Sequence, residues 1–190
     1  MKTSKKTMMT TRTLAYCALL ASLSVILARL VIPMPNEFTR FSIEAVPIFL
    51  AGMLFGPLAG GMVGFTADFV GCLMFSLYGY NPIYCIPPIL YGVCAGLFRH
   101  FLAKEGSLLR LAIAFLPPIV LGSIGIQSCV LSYMNYGIEA FGQGLIYFLS
   151  TRSIQFAVTM VLDVLVIYLL MSSNVFARLG LWPPVKKENV

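Results

Sequence analysis

Residues 145–171 read LIYFLSTRSIQFAVTMVLDVLVIYLLM, and only Arg152 and Asp163 in that stretch carry a formal charge. A helix needs about 20 predominantly apolar residues to cross the hydrocarbon core of a bilayer. Similar runs occur along the whole chain, in which 59% of the 190 residues are hydrophobic and 11% are charged. A soluble domain carries roughly 25% charged residues. The sequence therefore predicts an all-α integral membrane protein with one domain over residues 1–190.

Prolines and glycines divide the chain into about six transmembrane helices. We predict these over residues 13–32, 43–55, 58–77, 89–102, 111–134 and 145–171, with an interruption of the fifth at Pro117-Pro118 and with loops over 36–42, 76–88 and 135–144. Pro33 and Pro35 end the first helix, because proline cannot continue the hydrogen-bond ladder. Gly56-Pro57 separates the second helix from the third. Both are short, so a re-entrant hairpin is the alternative to two full crossings.

The distribution of lysine and arginine predicts the orientation. If the N-terminus is cytoplasmic, ten of the thirteen basic residues lie on the cytoplasmic side, as the positive-inside rule requires. These ten are Lys2, Lys5, Lys6, Arg12, Arg99, Lys104, Arg110, Arg178, Lys186 and Lys187. The other three, Arg29, Arg40 and Arg152, lie at or near the outer face. We expect a multi-pass protein of a bacterial cell membrane, with residues 1–12 and 176–190 in the cytoplasm. The net charge of +6 then requires no nucleic-acid partner.

The third predicted helix carries small residues at a regular spacing. Gly56, Gly60, Gly64 and Asp68 recur every fourth position and share one face, with Gly71 close to it. Such spacing is typical of close helix packing in membranes. Placing a carboxylate at the centre of a membrane helix costs about 2.5–3.5 kcal/mol of insertion free energy. The presence of Asp68 and Asp163 in apolar runs therefore requires an explanation. Structural pairing, proton carriage, partner contact and an intramembrane acid–base pair all remain open.

The outer ends of several predicted helices carry polar and aromatic side chains that could line a pocket. The candidate substrate-binding residues are Arg40, Glu44, Tyr78, Tyr80, Tyr84, Gln127, Tyr133, Asn135, Arg152 and Gln155. Arginines suit a ligand carboxylate, tyrosines suit an aromatic ring, and amides orient a ligand. The alternative is an interfacial tyrosine belt with Arg152 snorkelling outward.

Several motifs are absent from the sequence. It contains no GxxxxGK[ST] phosphate loop and no HExxH motif, and its only histidine, His100, falls in a predicted cytoplasmic connection. We therefore expect no metal, no cofactor and no ATPase activity in this chain. Energy for any transport has to come from another subunit or from an ion gradient.

Three stretches of the sequence between residues 40 and 71 resemble a known family. Residues 40–47, RFSIEAVP, followed by LAGMLFGPLAGGMVG at 50–64 and ADFVG at 67–71, resemble the substrate-binding S component of energy-coupling factor (ECF) transporters, folate-type branch. The resemblance continues weakly over 88–96, 127–136 and 151–152. Where folate-type members carry an Asn-Thr-Leu-Trp-type stretch, this chain reads Gln127-Ser-Cys-Val130. That departure falls where the pocket is expected.

The resemblance implies a vitamin-capture subunit rather than an enzyme. Such a subunit docks on a transmembrane coupling protein and two cytosolic ATPases, and its substrate enters from outside beneath the loops over 33–42 and 76–88. Its first helix presents a small-residue face to the coupling protein. The corresponding residues here are Cys17, Ala18, Ala21 and Ser22. Folate is the expected ligand, and another vitamin or precursor is the alternative.

The residues alone also leave two other classes of function open. One is an intramembrane enzyme using Asp68 and Asp163, which requires both acids to face one cavity. The other is a packing protein that binds nothing and tolerates Arg152→Ala.

Overall fold

The computed structural model describes residues 10–29, 32–33, 40–75, 81–102, 108–173, 176 and 180–181, with the main chain alone at 32, 33, 40, 41 and 75. Its helices are α1 (Thr11–Leu27), α2 (Ala45–Phe55), α3 (Pro57–Phe75), α4 (Ile86–Leu97), α5 (Arg99–Leu102), α6 (Leu108–Pro117), α7 (Gln127–Tyr136) and α8 (Phe141–Ser172). A 3₁₀ turn (Pro82–Cys85) precedes α4, and a π segment (Pro118–Ile126) joins α6 to α7. Two short strands, β1 (Ile32–Pro33) and β2 (Arg40–Phe41), pair antiparallel.

The predicted all-α membrane bundle is confirmed. Within the described residues, three helical spans are long and apolar enough to cross a membrane, over 57–74, 108–136 and 141–172. Three shorter apolar helices lie over 11–27, 45–55 and 82–97. Together they give the six predicted segments. At 1.5 Å per residue, α2 is only about 16 Å long and does not cross a core of about 30 Å by itself.

Three predicted boundaries are wrong. The first helix stops at Leu27, because residues 32 and 33 instead pair with Phe41 and Arg40 across the β1–β2 ladder. Residues 82–85, predicted as loop, form the 3₁₀ turn, whose start is capped when the side chain of Asn81 accepts from the Ile83 amide at 3.1 Å. The helix after Leu108 also runs through Pro117-Pro118 without a break, by widening into the π segment.

The chain reverses at Gly56 to pack α2 against α3. Gly56 has φ 101°, a left-handed conformation that glycine adopts without a steric cost. A Cβ at Gly60 would lie 2.5 Å from the Cα of Gly52, so the two helices touch backbone to backbone. A Cβ at Gly92 in α4 would lie 2.1 Å from the carbonyl oxygen of Gly60. We call Gly52, Gly60 and Gly92 the glycine crossing of α2, α3 and α4.

The core and the exterior differ in the way expected for a protein in lipid. Helix α2 is buried on all sides from Ala45 to Leu54, and Phe49 stacks on Phe115 with ring centroids 4.0 Å apart. Large apolar side chains are exposed on the outside of the bundle, including Leu19 and Ile146. A bilayer would cover such a surface, since lipid tails are as apolar as leucine.

Candidate functional site

The buried arginine of α8 is fixed to a neighbouring helix. Arg152 is 8% exposed, and its Nη2 donates a hydrogen bond to Oε1 of Gln127 at the start of α7. Its guanidinium carbon lies 5.3 Å from the ring centroid of Phe156. Gln155, one turn away, is also buried. A buried cation has to be paired or hydrogen-bonded, and Arg152 is directed into the bundle rather than outward.

Two further predicted residues approach the same interior from other elements. Glu44, half-buried at the start of α2, is tied to α1 because Ser24 Oγ donates to its carbonyl oxygen at 2.8 Å. Tyr84 is half-buried in the 3₁₀ turn, and its hydroxyl interacts electrostatically with Arg152. The Tyr84 hydroxyl lies 3.6 Å from the sulfur of Met134. Elements distant in sequence thus converge near the N-terminal half of α8.

Three more residues complete this interior, namely Tyr91, Ser123 and Asp163. None of them was a predicted pocket residue. Tyr91 of α4 is buried, and its hydroxyl lies 3.2 Å from Oγ of Ser123 in the π segment. The charges of Glu44, Asp163 and Arg152 all act on Tyr91. We use the name interior polar cluster for eight residues: Glu44, Tyr91, Ser123, Gln127, Arg152, Gln155, Thr159 and Asp163. Only Asp163 had a sequence signal, since it lies eleven positions after Arg152 and shares its helix face.

Other predicted pocket residues lie elsewhere. Tyr133 and Asn135 are exposed near the end of α7, and Asn135 donates to its own helix at Leu131. Tyr133 borders a surface depression with residues 134 and 136–139. Tyr78, Tyr80 and the side chain of Arg40 are outside the described residues. The main chain of Arg40 belongs to β2, which packs against α8.

The predicted partner-contact residues share an outward groove. It has a volume of about 340 Å³ and an almost wholly apolar lining. Its α1 wall includes Cys17, Ala18, Ala21 and Ser22, and its α3 wall includes Met62, Val63, Thr66 and Val70. Small residues on α1 leave this space open between the two helices.

Gly64 and Gly71 of α3 lie against neighbouring elements, and Asp68 lies between them in the sequence. A Cβ at Gly64 would lie 2.3 Å from the carbonyl oxygen of Pro88. Near the end of α3, Arg29 Nη2 donates to the carbonyl oxygen of Gly71 at 3.3 Å, one turn beyond the half-buried Asp68. Helix α3 packs against α1, α2 and α4, whereas α8 packs against α2, α6, α7 and the π segment. Asp68 and Asp163 are therefore on helices with largely different neighbours.

The described part of the chain offers no set of three histidine, cysteine, aspartate or glutamate residues that could hold a metal ion. The chemistry available in the interior polar cluster is hydrogen bonding and charge pairing. That chemistry suits recognition of a polar ligand with an aromatic ring.

The chain matches a family over nearly its whole length. Residues 8–175 match the family described as the ECF-type riboflavin transporter, S component. A curated relative, the folate transporter FolT of Clostridium novyi (strain NT), is 29% identical over 99 residues, which are 52% of this chain and 56% of the relative. The aligned region thus spans little more than half the length of that relative.

Two solved structures resemble the bundle. A crystal structure of FolT bound with folic acid has a TM-score of 0.69 and 28% identity, covering 83% of this chain and 90% of that one. The S component for biotin from an ECF-type ABC transporter has a TM-score of 0.60 at 19% identity, covering 85% of this chain and 91% of that one. The second likeness concerns the fold alone. The predicted resemblance to ECF S components of the folate type is confirmed.

Proposed function

Because the chain belongs to the family of ECF-type transporter S components, we propose that it captures folate from the outer side of the membrane. The observation that carries this proposal is the buried guanidinium of Arg152, oriented by Gln127 in a bundle similar to that of FolT with folic acid. An S component is a transport protein, and the proposed role is binding and delivery rather than chemistry.

The interior polar cluster suits the two ends of folate. A guanidinium presents a planar fork of donors that matches a carboxylate, and folate carries carboxylates on its glutamate end. Arg152 is held in place before any ligand arrives, so less conformational entropy is lost on binding. Tyr84, Tyr91 and Phe156 supply aromatic surface on which a fused ring can pack.

Riboflavin is the second candidate, because the matched family is described by that vitamin. Riboflavin has a fused ring but no carboxylate. Riboflavin therefore does not offer Arg152 the bidentate acceptor that a folate carboxylate offers. The guanidinium therefore favours folate.

Ligand titration of the purified, detergent-solubilised chain tests the proposal. We expect saturable one-to-one binding of folate, and weaker or no binding of riboflavin. Arg152→Met should weaken folate binding about 10- to 100-fold, because a charge-assisted hydrogen bond contributes about 1.5–3 kcal/mol. Arg12→Met is the matched control, since Arg12 is exposed at the start of α1 and lies over the ring of Tyr16. Equal folate affinity for both variants would contradict the role of Arg152.

We further propose that the groove between α1 and α3 receives a helix of a transmembrane coupling protein, which links this chain to two cytosolic ATPases. Membership in the S-component family supports such partners, and the sequence carries no phosphate loop of its own. Small residues allow helices to approach closely in lipid. The apolar lining of the groove fits a helix rather than a polar ligand.

Ala18→Trp separates binding from coupling. The indole would fill the groove, so we expect unchanged folate binding by the isolated chain but loss of co-purification with the coupling protein and of ATP-dependent uptake. Leu19→Trp is the control, because Leu19 is exposed on the same helix and does not line the groove. Normal uptake by the Ala18→Trp protein would refute docking at the groove.

A further inference from the structure

One face of α8 carries four buried polar side chains. They are Arg152, Gln155, Thr159 and Asp163, half of the buried polar residues in the described part of the chain. Their spacing of three, four and four keeps them on one side of the helix. From Arg152 to Asp163 the helix rises about 16 Å. A polar stripe thus follows the interior of the bundle, basic at one end and acidic at the other.

At the acidic end of this stripe, one carboxylate oxygen lacks a hydrogen-bond donor among the described residues. Asp163 is 2% exposed, and its Oδ1 has no hydrogen-bond partner among the described residues. By contrast, Thr159 Oγ1 donates to the carbonyl oxygen of Gln155 at 3.0 Å. Leaving a carboxylate oxygen buried without a donor is costly. Since none of the described residues supplies a partner to Oδ1, a bound ligand with N–H groups would relieve that cost.

Asp163 is an electrostatic neighbour of Glu44 and of the aromatic side chain of Tyr91. Glu44 acts on Asp163 electrostatically, and both carboxylates act on Tyr91. The Tyr91 ring lies 5.9 Å from that of Phe115, which closes this side of the interior with apolar surface. Acceptor oxygens beside aromatic faces are suited to a flat heterocycle that presents hydrogen-bond donors at its edge.

We propose that Asp163 determines ligand specificity by binding the amino-pyrimidinone edge of the heterocycle of folate. The ring N–H and the exocyclic amino group of that edge are adjacent donors, which a carboxylate can accept together. The ligand then lies along the stripe with its heterocycle at Asp163 and its carboxylates toward Arg152. This inference rests on the proposed function, since it requires a ligand that carries both the heterocycle and the carboxylates.

The same geometry selects against riboflavin. The corresponding edge of a flavin has a single N–H between two carbonyl oxygens. A carboxylate placed there accepts one hydrogen bond but meets two acceptor oxygens, which it repels. The presence of a carboxylate rather than an amide at residue 163 therefore favours binding of folate over binding of riboflavin.

A double-mutant-type cycle, in which both the side chain at residue 163 and the amino group of the ligand are changed, tests this assignment. Folate is compared with 2-desamino-folate, which lacks the exocyclic amino group, on the unmodified chain and on Asp163→Asn. For the unmodified chain we expect the loss of that group to reduce affinity about 10- to 100-fold. Asp163→Asn should reduce folate affinity by a similar factor and diminish the difference between the two ligands, because an amide accepts from only one of the two adjacent donors and presents its own N–H to the other. Val161→Ala, on the exposed side of α8, should keep the preference.

The ligand-side comparison does not depend on the folding of a variant. Equal affinity of the unmodified chain for folate and 2-desamino-folate would overturn the role of Asp163 while leaving folate capture intact. Asp163→Asn protein that is monodisperse and retains the full preference for folate would do the same. Failure of the unmodified chain to bind folate would overturn both this inference and the proposed function, so the two failures are distinguishable.

Discussion

A methyl group at the glycine crossing should separate α3 from α4. In Gly92→Ala the new Cβ would lie 2.1 Å from the carbonyl oxygen and 2.2 Å from the carbonyl carbon of Gly60. An ordinary contact begins at 3.4 Å, so the helices have to move apart by about 1.3 Å. Both obstructing atoms are backbone and cannot rotate away.

The expected cost is larger than the benefit of alanine in a helix. Overpacking of this kind costs about 3 kcal/mol, whereas replacing glycine by alanine within a helix gains up to about 1 kcal/mol. We therefore expect a net loss of about 2 kcal/mol or more, seen as a fall of roughly 5 °C in the thermal unfolding midpoint in detergent. The measurement is unfolding followed by loss of monodisperse protein on size exclusion.

Gly142→Ala provides the control for helix propensity. Gly142 lies in the first turn of α8, and a Cβ there would meet nothing within 4 Å. That variant should be as stable as the parent or slightly more so. If Gly92→Ala and Gly142→Ala unfold at the same temperature, the close approach of α3 and α4 is not as described.

Three smaller perturbations have defined outcomes. Tyr91→Phe removes the hydroxyl that lies 3.2 Å from Ser123 and should lower the free energy of unfolding by about 1 kcal/mol in a denaturant titration, with Ser123→Ala adding little to it. Phe115→Ala opens a cavity in the core and should cost about 3 kcal/mol, whereas Leu165→Ala on the exposed side should cost far less. Gly56→Ala forces a side chain into φ 101° and should lower the midpoint by a few degrees, corresponding to about 1–2 kcal/mol.

Much of the fold follows from local sequence, because apolar run length and breakers determine where helices cross a bilayer. The run over 145–171 predicts α8 well, and Gly56-Pro57 predicts the reversal between α2 and α3. Pro117-Pro118 misleads, since a proline lacks the backbone N–H donor and its ring clashes with the preceding turn. The structure resolves that conflict by widening the helix instead of ending it. This adjustment depends on packing against α4 and α8, which no local pattern encodes.

The interior polar cluster is less accessible to sequence reasoning. Arg152 and Gln155 stand out because charged and amide side chains are unexpected within an apolar run. Tyr91 and Ser123 do not, since tyrosines and serines are common in membrane helices and their pairing depends on how α4 crosses the π segment. Asp163 could have been grouped with Arg152 by periodicity alone. Its relation to Glu44 requires the tertiary structure.

The π segment has a consequence for comparing relatives of different length. A π turn holds more residues than an α turn, because its hydrogen bonds run from i to i+5. A relative that is one residue shorter between Pro118 and Ile126 can restore ordinary helical bonding and still present its next residue to the arginine of α8. Without that compensation, one deletion would rotate Gln127 by about 100°. A single-residue gap in this stretch of an alignment therefore does not indicate a different binding site.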